Sequence, residues 1–544
     1  MLSSLRYNLP SPRILNLRVA FCVACLAGLQ PVISAPPAMT GVTLQPGDRI
    51  AVVGNTLADR MQHAAWLETF LHFQLPEHRL VVRDLGFSGD CIATRLRSSN
   101  FGSPDQWLHK VRADVVVACF GYNESWEGEA GLPEFRRQLI EWLEHIQQQR
   151  FNGKSAPRIL LCSPTCFEDL ELPELPSGED INARLKLYSA AMQQIAHQQG
   201  IGFVDLYRVT EAAISGRDDD TSRIRNMQDR QHARFGTPVH PDRVSRNPDL
   251  TINGLHLNDF GNRLVAAAIA RTMVSTLQPE DQTRIDLIRT AVIEKNRVWH
   301  NIYRATDGYS VFGGRSELRF VGGQTNFDVM QQELVILEAM TTNRDLVIHA
   351  AARGELIAPD DSALPKPLEV KTNKPGRLGE GRHRFLGGQE AVRKMTVHEG
   401  MQVDLFASEE MFPELVNPGQ SAVDPNGRLW VTAWPTYPHW NPGKDMNDKL
   451  LILPDDDGDG VADRCITFAD GLHNPTGFEF WNGGVLVAVA PDILFLRDVD
   501  GDDRADIRER VLHGLDSADT HHTANAFVMS PTGKYHFSRG IFHA

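Results

Sequence analysis

Arg49-Ile50-Ala51-Val52-Val53-Gly54-Asn55-Thr56-Leu57 is the stretch whose reading decides the fold. A short apolar run ends at a glycine, two polar residues follow, and Leu57–His72 then reads as an amphipathic helix. The same alternation continues downstream. Arg79–Asp84, Val115–Phe120, Arg158–Cys162 and Gly202–Leu206 are strand candidates, and Val115–Phe120 has the unbroken apolar character of a strand buried on both faces. Phe135–Gln149, Ile181–Gln199 and Asp259–Leu277 read as helices; in the first of these Leu139, Trp142, Leu143 and Ile146 share one face. Strands alternating with helices predict a three-layer α/β/α domain built on a parallel sheet. The polar, Arg- and Asp-rich segment between Leu206 and Leu250 has little periodicity and is expected to be an insertion over the sheet edge. Pro279–Tyr303 and Phe327–Thr342 predict a helical extension of this domain.

Composition sets the outer bounds. The chain has 544 residues, 42% hydrophobic and 23% charged, with a formal net charge of −14, an ordinary globular composition long enough for several cores. There is no basic run, so no nucleic-acid partner is expected, because phosphate binding needs a clustered basic face. The N-terminus reads as an export signal: Arg6, Arg13 and Arg18 flank an apolar run from Val19 to Leu29, with small residues near Ala35. The run is short for a membrane span. A periplasmic or secreted location is therefore expected. Beyond this leader the cysteines are Cys91, Cys119, Cys162, Cys166 and Cys465, too few and too scattered for a disulfide framework; Cys162 and Cys166 could pair or simply be buried. No C-x-x-C-H occurs, so the chain has no haem attachment motif.

Four short blocks fall beyond the C-terminal ends of strand candidates or just before helices, where open α/β sheets build their sites. They are Gly54-Asn55-Thr56-Leu57, Gly86-Phe87-Ser88-Gly89-Asp90, Gly121-Tyr122-Asn123-Glu124 and Asn253-Gly254-Leu255-His256. Their order over Pro46–Leu277 resembles the SGNH (GDSL-type) hydrolases, whose sheet is flavodoxin-like. The resemblance implies Thr56 as nucleophile, the Gly89 N–H and the Asn123 side chain as oxyanion donors, His256 as base and Asn253 in the position of the orienting acid. Thr56 stands where that family has Ser, and Asn253 where it has Asp. A threonine hydroxyl can attack a carbonyl, although its β-branch restricts χ1. An Asn behind the His cannot stabilise an imidazolium by charge, and weak catalysis is expected unless a carboxylate in the polar insertion takes that role. Thr56 followed by Asp59 also has the spacing of a helix capping box. Trp299, His300, Tyr303, Tyr309 and Phe312 cluster around Gly308, Gly313 and Gly314; they suit either a sugar site or packing of the helical extension.

A second constellation lies near the C-terminus. Asp455, Asp457, Asp459 and Asp463 fall at positions 1, 3, 5 and 9 of one acidic loop, and Asp498, Asp500, Asp502 and Asp506 repeat the pattern 43 residues later. Alternate carboxylates on a tight turn, with the position-7 carbonyls of Val461 and Arg504, suit Ca2+, which takes six to eight oxygens. No helices are predicted beside the loops, which argues against EF-hands. The second loop has Asp503 in place of the glycine at position 6. Turn glycines Gly427, Gly483 and Gly533 lie 56 and 50 residues apart within a looser repeat of strands, a period expected of propeller blades. Residues 401–544 resemble the start of the membrane-bound dehydrogenase-like propellers of planctomycete-type bacteria, which are similar to sugar dehydrogenases. Only about three blades fit, so an incomplete β-propeller is expected.

The expected organisation is an export signal over residues 1–35, an SGNH-like domain with helical extension over 45–345, a Pro-, Gly- and Lys-rich linker over 346–390, and the partial propeller over 391–544. The expected function is that of an exported esterase acting on an acylated carbohydrate or other ester, carrying a calcium-binding propeller that presents substrate or meets a cell-envelope or redox partner. The alternative is a catalytically inactive glycan-binding module attached to a sugar-dehydrogenase-like propeller.

Overall fold

The computed structural model describes residues 41–540, apart from 173–174, 217–248, 306, 320, 371–385, 439 and 518. The expected export signal, most of the polar insertion and part of the linker lie outside the described residues. Strands β1 (Arg49–Gly54), β2 (Val81–Gly86), β3 (Val115–Cys119), β4 (Arg158–Cys162) and β5 (Gly202–Val204) form one parallel sheet in the order β2-β1-β3-β4-β5. The order reverses at β1, whose two neighbours are β2 and β3, so a crevice opens at their C-terminal ends.

Side-chain alternation divides the core into two layers. Ile50, Val52, Val82, Val115 and Val117 face one way and Ala51, Val53, Val116, Ala118 and Leu161 the other. In chain order the helices are α1 (Thr56–Ala64), α2 (Trp66–Gln74), α3 (Pro104–Val111), α4 (Gly128–Gln148), α5 (Glu179–Gln199), α6 (Leu206–Ser215), α7 (Asp259–Arg271), α8 (Gln282–Tyr303), α9 (Gly308–Val311), α10 (Asn326–Ala352) and α11 (Gly388–Lys394). Helices α1, α2 and α7 pack on the first layer and α3, α4 and α5 on the second, while α8 and α10 contribute to both by closing over the β2 edge.

That closure answers the exposed-edge problem of an open sheet. The Lys295 ammonium donates to the Val82 carbonyl at 3.0 Å, the Trp299 indole donates to Asp84 O at 2.6 Å, and the His349 ring meets Leu80 O at 2.8 Å. Trp299, Tyr303 and Phe312 are buried in the core, so the aromatic cluster serves packing, not a sugar site. Two buried ion pairs lie in the same joint. Lys295 reaches Glu68 at 2.8 Å, and Arg83 holds Asp345 through both carboxylate oxygens.

The expected helix over Leu57–His72 is two helices. Ala65 adopts a left-handed φ of 64° between α1 and α2, and Trp66 turns to donate to Asp259 at 2.8 Å. Neither glycine nor proline marks the break. Helix α6 occupies the first ten residues of the stretch read as irregular; Asp205 caps it by accepting from Arg208 N–H at 3.0 Å. Helix α10 runs ten residues past the expected end at Thr342. All five cysteines in the described residues are free.

The C-terminal part is antiparallel. Strands β6 (Pro418–Val423), β7 (Leu429–Ala433), β8 (Asp448–Leu453) and β9 (Ile466–Leu472) form one four-stranded meander, and β10 (Pro475–Trp481), β11 (Gly484–Val489), β12 (Asp492–Arg497) and β13 (Ile507–His513) a second. Strands β14 (Asn525–Met529) and β15 (Tyr535–Ser538) form a hairpin. Trp430, Leu450, Ile452, Phe468, Phe478 and Val487 fill a core shared by the two meanders, and the Gln420 amide spans them by bonding both the N–H and the carbonyl of Phe478.

Candidate active site

Strand β1 delivers the first block to the crevice. Gly54, at φ 134°, lies so near β3 that a Cβ there would meet the Cys119 carbonyl at 2.0 Å, and no other residue fits. The capping role foreseen for Thr56 belongs to Asn55, whose side chain accepts from Leu57 N–H at 3.1 Å. Thr56 is therefore the first residue of α1, half-buried, with its hydroxyl not used as a cap. Asp59 makes no capping box. It lies fully buried and accepts from both the N–H and the hydroxyl of Ser88 at 2.8 Å.

Thr56, Asn123 and His256 line one cleft of about 90 Å³, with Asn55, Arg60 and Tyr122 among its other walls. Gly89 is not among the lining residues. It follows β2 at φ 92°, and its N–H makes no hydrogen bond within the described residues, the state an oxyanion donor needs. The Asn123 amide donates to Asp90 O at 2.9 Å, which ties the second and third blocks together and leaves its other N–H for a ligand. Glu124 fixes the same corner by accepting from Ile92 N–H and Gly121 N–H, both at 2.9 Å.

The fourth block departs furthest from what acyl transfer needs. Asn253 Oδ1 accepts from the N–H groups of Leu255 at 3.3 Å and His256 at 2.9 Å. Its Nδ2 therefore faces His256 Nδ1, 2.9 Å away. An amide nitrogen only donates, so Nδ1 must accept and the ring proton is held on Nε2. That is the wrong tautomer for a base that must receive a proton at Nε2. Burial, reinforced by the charges of Arg60 and His513, pushes the His256 imidazole down to about 4. It stays neutral across the physiological range.

This fixes an expected pH profile. A base works only when unprotonated, so turnover should hold from neutrality down to pH ~5 and be lost as pH falls through about 4. An acid limb centred near the ordinary histidine value of ~6.5 in a pH–rate series would contradict the burial argument.

Glu168 is a site residue that the sequence reading passed over. Its buried carboxylate accepts from Leu250 N–H, Thr251 N–H and the Thr251 hydroxyl, at 2.7–3.1 Å, and the Thr251 hydroxyl oxygen accepts from Gly254 N–H at 2.9 Å. Burial pushes Glu168 up to about 7 against these hydrogen bonds. It supports the loop of His256 without contacting the ring. Of the carboxylates in the polar insertion, Glu211 and Asp249 fall within the described residues, and those of residues 217–248 lie outside them.

The acidic loops join the third and fourth strands of each meander. Asp455 folds the first loop by accepting from the N–H groups of Gly458, Asp459 and Gly460, and Asp498 does the same for Gly501 and Asp503. Asp503 takes the left-handed φ of 63° where the first loop has Gly460 at 85°, so the missing glycine does not alter the turn. One carboxylate oxygen from each of Asp455, Asp457 and Asp463 lies within 4.8 Å of the others, and Asp498, Asp500 and Asp506 repeat this. Asp459 and Asp502 stand outside these groups and accept from the Val461 and Arg504 N–H groups.

Comparison with known proteins agrees with this division. Residues 47–264 match the GDSL-like lipase/acylhydrolase family, and residues 388–543 match a family described as a domain of unknown function (DUF7133). No curated protein matches. Among solved structures, an acetylxylan esterase from Geobacillus stearothermophilus, Axe2, is 15% identical over 43% of this chain and 100% of its own, with a TM-score of 0.30. The acetyl xylan esterase AlAXEase is 17% identical over 42% of this chain and 100% of its own, at 0.27. A gut microbial diltiazem-metabolizing enzyme is 16% identical over 43% of this chain, at 0.30, and only 48% of its own length is spanned. Residues 47–264 are thus a GDSL-like acylhydrolase domain, of a family of ester-bond hydrolases, and residues 388–543 are a DUF7133 domain.

Proposed function

We propose that the α/β domain hydrolyses an ester carried on a carbohydrate through an acyl-threonine intermediate. The observation that carries this is the meeting of Thr56, Asn123 and His256 in one cleft at the sheet's switch point. Thr56 Oγ1 attacks the carbonyl carbon and passes its proton to His256 Nε2. The oxyanion is held by the Gly89 N–H and the free N–H of Asn123. Collapse breaks the ester bond, and the leaving alcohol takes the proton from His256. Water, deprotonated by the same ring, then releases the acid and restores Thr56. His256 must first take its less favoured tautomer, so turnover is slow. The full-length chain should hydrolyse p-nitrophenyl acetate and an acetylated oligosaccharide, and Thr56→Ala or His256→Ala should each reduce the rate to the uncatalysed background. Equal rates for the parent and both folded variants would remove the hydrolytic reading.

One observation favours a second reading. The Asn253 amide pointed at Nδ1 suits a glycan-binding module without turnover, and saturable binding of the acetylated oligosaccharide with no hydrolysis would select it.

The two meanders read as propeller blades of the sugar-dehydrogenase-like type, each with one Ca2+ held by the converged carboxylates, in a chain exported by residues 1–35 toward a cell-envelope or redox partner. The support is the repetition of the same acidic loop at the same place in successive four-stranded sheets. The donor set fits, being oxygen only and preorganised by backbone N–H groups. Adding Ca2+ to the chelator-treated chain should raise its melting temperature, whereas Asp455→Asn with Asp498→Asn should not respond. A parent equally indifferent to Ca2+ would sink the calcium reading.

A further inference from the structure

Beneath the Ser88–Gly89 loop, four side chains from distant parts of the chain converge. Asp59 and His63 lie one turn apart on α1, His300 comes from α8, and His513 from the last residue of β13. One ligand atom from each lies within 4.8 Å of the others. The His63 ring meets those of His300 and His513 edge-on, with both centroid separations 4.8 Å. The Nε2 atoms of His63 and His300 are buried and have no hydrogen-bond partner within the described residues. Buried polar atoms are rarely left so, and here two belong to members of one cluster.

The environment of His513 narrows the explanation. Its Nδ1 bonds Asp492, and its Nε2 stands 3.0 Å from Asp59 Oδ1. A carboxylate that takes the Nδ1 proton leaves the Nε2 lone pair for a metal, as outer-shell carboxylates do behind ligating histidines. An imidazolium held between Asp59 and Asp492 would account for His513 alone; it leaves His63 and His300 unexplained. Two cations flank the group: Arg304 approaches the other oxygen of Asp59, Oδ2, at 4.0 Å, and Arg510 Nε stands 2.8 Å from Asp492 Oδ1.

We propose that Asp59, His63, His300 and His513 form a closed structural zinc site that clamps the second meander to helix α1. Three imidazole nitrogens and one carboxylate oxygen make a four-coordinate set suited to Zn2+, whereas Cu2+ and Ni2+ favour square-planar or tetragonal arrangements. The acidic loops, offering oxygen alone, suit a harder ion. The clamp reaches the crevice through Asp59 Oδ2, which accepts from both Ser88 groups. Gly514, next to His513, presses on Ser88 so closely that a Cβ there would meet Ser88 Cβ at 2.3 Å. The Arg60 guanidinium adds a bond to Arg510 O at 3.0 Å. The ion would therefore hold the loop that carries Gly89, and the site stands whether or not the cleft turns over an ester.

The test uses the untagged full-length chain, equilibrated with Zn2+ under excess Ca2+ to fill oxygen-only sites, and reads bound metal by mass spectrometry. One equivalent of zinc is expected. Co2+ in its place should give the intense visible bands of a tetrahedral site, and both signals should vanish in His63→Ala/His300→Ala with the circular dichroism unchanged. Should that pair fail to fold, His300→Gln alone should weaken zinc binding about tenfold or more. A folded parent that binds no more zinc than the variant, or that shows only the weak bands of octahedral Co2+, overturns the proposal and leaves a buried His513–Asp59–Asp492 ion pair.

Discussion

Asn253→Asp raises ester turnover by about 10²–10⁴-fold, in the reverse sense of the ~10⁴ lost when Asp becomes Asn behind the histidine of serine proteases. The geometry favours the exchange. One oxygen of the new carboxylate keeps the Leu255 and His256 N–H groups that Asn253 Oδ1 now accepts. The other replaces a donor with an acceptor 2.9 Å from Nδ1. Nδ1 then carries the proton, Nε2 carries the lone pair, and the imidazolium formed during attack gains a partner. The same charge lifts the His256 pKa from about 4, so the acid limb moves to higher pH together with the gain in kcat. A folded Asn253→Asp chain with unchanged kcat would mean that the tautomer of His256 does not limit the rate.

The second large effect is on stability. Lys295→Met should destabilise the α/β domain by about 3–5 kcal/mol, the usual cost of leaving one buried charge without its partner. Lys295 is fully buried, 2.8 Å from Glu68. Burial alone would raise the Glu68 pKa, but the Lys295 ammonium and the His72 ring outweigh it and hold the carboxylate below its ordinary range. Removing the ammonium leaves that burial cost uncompensated and takes one of two side-chain donors from the Val82 carbonyl, which keeps the Arg83 guanidinium at 2.9 Å. The double variant Lys295→Met/Glu68→Leu should recover most of the loss, since an apolar pair of similar volume often equals a buried ion pair. Urea midpoints read this directly. A single variant as stable as the parent would show that the pair does not hold α8 to the sheet.

Local pattern made the sheet and the four blocks legible. Strands buried on both faces write themselves as apolar runs, and a β1 that must end in glycine against Cys119 leaves a glycine in the sequence. The break at Ala65 left no such mark, because it is set by what Trp66 meets on α7. Helix α6 did leave one, in the cap Asp205, but it merged with the polar stretch that follows. Asp59 at the third position after Thr56 resembled a cap partner, yet its contacts are with Ser88, His513 and Arg304. His63, His300 and His513 come from three elements far apart in sequence, and only the fold brings them together. The identity of Asn253 was readable, whereas the direction of its amide, on which the tautomer depends, follows from two backbone N–H groups that no sequence pattern displays.

Treatment of the full-length chain with diethyl p-nitrophenyl phosphate, followed by peptide mass spectrometry, tests the central claim most directly. A threonine activated by His256 should displace p-nitrophenolate and carry one diethyl phosphoryl group on Thr56, faster in Asn253→Asp and absent in His256→Ala. A folded chain that stays unmodified in both parent and Asn253→Asp, or is modified elsewhere with Thr56 untouched, would contradict a threonine nucleophile in this cleft.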